Sequence, residues 1–127
     1  MNLFLVMIGG ALGAMLRYLF GLFVMIKFPH PSIPIAMLAV NILGSLGLGL
    51  FLGNFLSKHI YLNIYELPLY VLVAVGFFGA FTTFSTFSVE SIQLIRDRNI
   101  KKAILYILIS ITGSISFFFC FWALVFP

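Results

Sequence analysis

The residues from Gly76 to Glu90 set two glycines, five hydroxyl side chains and one carboxyl inside a long apolar run. A bilayer interior tolerates such a stretch only where its backbone is buried in protein or lines a wet path. A carboxyl at that depth, here Glu90, marks a functional site by default. Phe84 and Phe87 lie at i and i+3 and share one helical face, with Ser85 and Thr86 on neighbouring faces. An aromatic ring has a positive edge and a negative face, so ring edges can solvate a small anion weakly. Weak solvation suits conduction, in which an ion must leave every site it enters. Hydroxyl and amide donors replace the ion's water without a fixed positive charge to trap it. The plainer alternative is that both rings simply pack, in a chain with sixteen phenylalanines.

Three further sets of residues repeat at i+4 spacing. Asn41, Ser45, Gly49 and Gly53 form one stripe, and an asparagine inside a span is costly without partners. Its amide either joins two helices or offers N–H groups to an anion in transit. Tyr106, Ser110 and Ser114 form a ladder of hydroxyls along one face. A lone serine in a membrane helix often bonds its own i−4 carbonyl, but three in register favour a polar track. Gly9, Gly13, Arg17 and Gly21 form a stripe of small residues interrupted by a cation. The glycines read first as a close-packing surface. Arg17 either snorkels toward the Lys27 end or faces a water-filled vestibule.

The elements that must position these residues follow from composition. The chain has 127 residues, 63% hydrophobic and 8% charged, with a mean hydropathy of +1.22. A soluble domain carries about 25% charge, so the class is an all-α integral membrane protein forming a single domain. Against the ~20 residues that cross a bilayer, four spans are predicted, roughly 3–26, 34–56, 67–95 and 103–126, joined by short connections. Pro34 suits the first turn of the second. The third is too long for one untilted helix at ~1.5 Å per residue. Gly76 and Gly79, followed by Thr82 and Thr83, are a plausible place to break it mid-membrane; an unbroken, tilted helix is the alternative. Carbonyls freed by a break need partners, and a buried cation would serve. No signal peptide is evident, and the single Cys120 excludes an intrachain disulfide. The net charge of +4 sits in short juxtamembrane clusters, which read as topology signals and headgroup contacts, with no solvated face for nucleic acid. No enzymatic activity is expected.

These motifs, in this order, resemble the Fluc (CrcB) family of bacterial fluoride channels over nearly the whole chain. Gly9-Gly10 through Arg17-Tyr18 is similar to the family's first-helix motif, and Pro34 through Val40-Asn41 and Gly44 to its second. Phe81 through Glu90, with Thr-Thr-Phe-Ser-Thr-Phe-Ser at its centre, resembles its most specific block. Composition alone would not single out fluoride; the resemblance does. It implies passive export of fluoride across the cell membrane through an antiparallel, dual-topology dimer of four-helix subunits with two narrow pores. It implies that Phe84 and Phe87 are the pore aromatics, that Asn41 is a donor near the path, and that Ser85, Thr86, Tyr106, Ser110 and Ser114 belong to it. Arg17 and Glu90 would be vestibule or structural residues. Main-chain oxygens of Gly79 and Thr82 would hold a structural sodium ion (Na+) at the dimer centre. Met37 stands where the family usually has threonine, and Ala80 where glycine is common.

The rival from another class is a small four-helix, proton-coupled secondary carrier of the multidrug type, with Glu90 as its substrate site. Such a carrier needs its acid central in a roomy aromatic pocket, whereas Glu90 lies near the end of its helix among hydroxyls. A non-conducting assembly subunit is a third possibility. Four spans place Lys27, Arg96, Arg98, Lys101 and Lys102 on one side and only Lys58 on the other. That bias predicts loops 27–33 and 96–102 in the cytoplasm. A chain of fixed orientation cannot supply its own inverted partner, so the bias favours a heterodimer with an oppositely oriented paralogue over a homodimer.

Overall fold

The computed structural model describes residues 2–59 and 63–126. Four helical segments are long and apolar enough to cross a membrane: Leu3–Lys27, Ile35–Lys58, Pro68–Arg96 and Ile100–Val125. Helices are the natural outcome for such runs, because in lipid every backbone group must find its partner within the segment. We label α1 (Leu3–Lys27) and α2 (Ile35–His59). A short 3-10 turn at Ile64–Glu66 follows. The third segment is α3 (68–81) and α4 (Phe84–Arg96), and the last is α5 (Ile100–Val125). The helices overrun the apolar stretches: Lys101 and Lys102 are helical, because at the membrane surface water and headgroups accommodate their charges.

Helix α3 is irregular. It opens with Pro68 in its first turn, widens to a π-helix over Val71–Phe78, and tightens again over Gly79–Phe81. Thr82 (φ −76°, ψ 156°) and Thr83 (φ −144°, ψ 120°) are then extended before α4 begins.

The bundle is built from two close helix pairs, α1 with α3 and α2 with α5. Both seams depend on missing side chains. A Cβ on Gly9 would strike the Leu72 carbonyl oxygen, one on Gly13 the Phe77 carbonyl oxygen, and one on Gly76 would lie 2.9 Å from the Val6 carbonyl oxygen. Across the second seam, a Cβ on Gly49 would strike the Phe118 carbonyl oxygen. The i+4 glycine stripes are thus surfaces where backbone meets backbone, the arrangement that lets helices associate in lipid.

Met37 and Ala80, the two departures noted above, both lie against α1. The Met37 methyl lies 3.1 Å from where a Gly21 Cβ would be, so methionine there fills the α1–α2 contact. The Ala80 Cβ lies 3.9 Å from the corresponding point on Gly10, an ordinary contact, so the extra methyl is accommodated.

Helices α4 and α5 are joined by a tight turn. Arg98 N–H donates to the Ile95 carbonyl (3.0 Å) and Asn99 N–H to the Leu94 carbonyl (2.9 Å). This is a Schellman closure with Arg98 at φ 58°, the position usually held by glycine.

Candidate functional site

The interruption at Thr82 and Thr83 redirects three backbone groups. In a continuous helix, Thr83 N–H would donate to the Gly79 carbonyl; it donates instead to Asn41 Oδ1 at 2.8 Å. Asn41 Nδ2 in turn donates to the Thr83 carbonyl at 3.0 Å. One side-chain amide therefore satisfies both polar groups of a residue whose exposure is only 6%. Three residues on, Thr86 N–H donates to Thr83 Oγ1 at 3.3 Å rather than to the Thr82 carbonyl. Thr83 is thus the N-cap of α4, a role suited to its hydroxyl. Its Oγ1 donates to Thr86 Oγ1 at 3.1 Å and lies 3.3 Å from Ser85 Oγ.

These substitutions leave the Gly79 and Thr82 carbonyls without their helical donors. The Phe78 carbonyl, by contrast, is well supplied, accepting from Thr82 N–H (3.1 Å) and Thr82 Oγ1 (2.9 Å). Gly79 is exposed, and a Cβ there would meet nothing within 4 Å. Gly79 and Thr82 thus offer two hard carbonyl oxygens of the type that unwound backbone can present to an alkali cation. Among the described residues there is no cluster of His, Cys, Asp or Glu that could hold a metal by side chains.

Beside the interruption lies a cavity of about 350 Å³. Asn41, Ser45, Thr83, Ser110 and Ser114 contribute polar atoms to its lining, and Leu48, Phe84, Phe87, Ile111 and Ile115 the larger, apolar part. No charged side chain lines it. Ser110 is 5% exposed, and its Oγ has no hydrogen-bond partner among the described residues. Asn41 Nδ2 carries two hydrogens and gives one to Thr83, so a second remains. Phe84 and Phe87 have ring centroids 5.9 Å apart at an interplanar angle of 44°. Phe84 is 79% exposed and projects away from the chain.

The hydroxyl ladder of α5 divides. Ser110 and Ser114 reach the cavity, while Tyr106 is fully buried behind it and donates its hydroxyl to Glu90 Oε2 at 2.7 Å. The Tyr106 ring lies 5.5 Å from that of Phe87, so the pair backs the aromatic wall. Ser85 and Thr86 lie outside the cavity lining, gathered around the Thr83 cap. Arg17 is partly exposed on α1 and does not touch the cavity. Thr83 and the Tyr106–Glu90 bond are the features that reading the sequence missed. The hydroxyl three residues ahead of Thr86 is a capping signal that could have identified the first; nothing local announces the second.

The chain was compared with known proteins. A family model described as CrcB-like protein, Camphor Resistance (CrcB), matches residues 4–122. A Halalkalibacterium halodurans protein named fluoride-specific ion channel FluC 1 is 52% identical over 118 residues, covering 93% of this chain and 92% of its own. The fluoride-specific ion channel FluC of Campylobacter fetus is 40% identical, covering 95% of this chain and 91% of its own. FluC 2 of Rhodococcus jostii is 38% identical, covering 91% of each. With a family model matching almost end to end and relatives of this similarity over nearly full length, this four-span chain belongs to the CrcB-like family.

Proposed function

We propose that this chain is a subunit of a fluoride-selective channel, passing fluoride passively out of the cell along the cavity beside the interruption. The observation that carries the reading is a cavity offering hydroxyl and amide donors with no charged side chain on its walls. An anion entering it would exchange water for the Ser114 hydroxyl and the second Asn41 N–H, with Ser110 behind them and the edges of Phe84 and Phe87 completing its surroundings. Without a cation to hold it, the anion leaves as readily as it enters. The secondary-carrier reading is disfavoured, because Glu90 bonds Tyr106 and does not line the cavity. Replacing Phe84 or Phe87 by isoleucine keeps bulk and removes the ring quadrupole. Fluoride efflux from vesicles should fall about tenfold, the equivalent of ~1.4 kcal/mol, while expression and helicity persist. Unchanged efflux in both variants would sink the aromatic part of the proposal.

The interruption lies near the middle of the 29-residue third span, so we place it at mid-membrane depth. There the Gly79 and Thr82 carbonyls hold a structural sodium ion at the centre of an antiparallel dimer. The ion supplies positive charge and oxygen coordination that caps both groups. The open face at Gly79 and the outward projection of Phe84 leave room for the second subunit.

Loops 27–33 and 96–102 carry five cations against the single Lys58 opposite, so we place them in the cytoplasm of the cell membrane. The inverted partner is then a paralogue of opposite charge bias. Reporter fusions at the C-terminus of this chain expressed alone should report one side only. Equal signal from both sides, with full fluoride efflux, would favour the homodimer.

A further inference from the structure

The turn between α4 and α5 concentrates charge in a way that ion conduction does not use. Arg96, Arg98, Lys101 and Lys102 fall within seven residues, all exposed, and the tight closure at Arg98 folds them around one end of the bundle. Asp97 is the single carboxylate there, and no ion pair forms among the described residues of the turn. Next to the cations, toward the membrane, the same two helices expose apolar residues: Ile92 and Ile95 before the turn and Ile104 and Leu105 after it are each at least 50% exposed. The turn caps two membrane spans, so these cations stand at headgroup depth and the isoleucines at acyl-chain depth.

We propose that this turn is a binding surface for anionic phospholipid. The cations meet the phosphate and acidic headgroup, and the exposed isoleucines of α4 and α5 pack the upper acyl chains. Charge complementarity selects an acidic ligand, and the apolar surface below selects one with a hydrocarbon tail over a free anion or an acidic peptide. The site rests on the turn and the two helix ends, independently of the ion cavity.

The test uses the full chain in mixed micelles with spin-labelled phosphatidylglycerol and phosphatidylcholine, comparing the fraction of each that is motionally restricted at the protein. Phosphatidylglycerol should be preferred, by up to about fivefold for each cation engaged. The preference should shrink steeply as salt is raised toward molar concentration. R98Q/K101Q/K102Q should lose most of it, whereas K58Q at the opposite end should keep it. Helix content measured by circular dichroism checks that the triple variant is folded; if it is not, the salt series on the unaltered chain decides. Equal association of the two lipids, a preference that survives high salt, or one retained in the folded triple variant would overturn the proposal. So would displacement of phosphatidylglycerol by millimolar inorganic phosphate or by a soluble acidic peptide, since the ligand would then need no tail.

Discussion

The seam between α1 and α3 and the region around Thr83 solve opposite problems with small and polar residues. In the seam, side chains are missing so that backbones touch: Gly9, Gly13 and Gly76 each leave space that a neighbouring carbonyl or backbone atom fills. Around Thr83 the backbone has lost its own partners, and side chains supply them: Asn41 twice, and the Thr83 hydroxyl once. The seam closes on its own backbone contacts. The other region relies on an amide brought from α2 beside its own hydroxyl, and it borders a cavity that Ser110 and Ser114 of α5 help to line. The contrast teaches that a polar residue in a membrane helix has to be judged by what it bonds. Asn41 steadies the fold, and the same amide still has a hydrogen to offer.

The most damaging way to break this arrangement is Asn41→Ala. It strips partners from a buried N–H and a buried carbonyl at once, each costing roughly 1–3 kcal/mol. Thermal unfolding in detergent should shift well downward, and fluoride efflux should fall with it. Asn41→Asp retains the acceptor for Thr83 N–H and should recover part of the stability. Equal stability of the alanine variant and the unaltered chain would remove the clamp from the argument.

A smaller effect is expected from the cation. If sodium caps the Gly79 and Thr82 carbonyls, exchange for a large organic cation leaves two polar groups short of partners, at roughly 1–3 kcal/mol each. The exchange leaves the Asn41–Thr83 bonds intact, so the loss is confined to those two carbonyls. Melting temperature and efflux measured in sodium and in N-methylglucamine should differ; identical values would count against the site.

The seam sharpens the comparison at the low end. Gly13→Ala forces a methyl toward the Phe77 carbonyl oxygen and should cost about 1–3 kcal/mol, as overpacking typically does. Gly10→Ala, three residues earlier, meets the Ala80 methyl at 3.9 Å and should change stability by less than ~0.5 kcal/mol. If the two variants melt together, the close approach at Gly13 is not what holds α1 to α3.

Much of this was legible in the residues themselves. Hydropathy marked the four spans, and i+4 spacing marked the stripes, because both depend only on neighbours along one helix. The same spacing grouped Tyr106 with Ser110 and Ser114, yet Tyr106 turns its hydroxyl to Glu90 while the two serines line the cavity. Periodicity assigns a face; it does not name what stands opposite. The Asn41–Thr83 pairing joins residues 42 apart; it releases the Gly79 carbonyl by taking the Thr83 N–H, while the Thr83 hydroxyl releases the Thr82 carbonyl by taking the Thr86 N–H. The bonds to Asn41 form when two helices approach within hydrogen-bonding reach; here Gly44 and Gly47 of α2 leave the space that Thr82 and Phe78 occupy. Sequence alone therefore determined the class of protein, its spans and the residues available. Tertiary packing decided which polar groups satisfy each other and which remain free for an ion, because a hydrogen bond depends on distances between helices that no single helix contains.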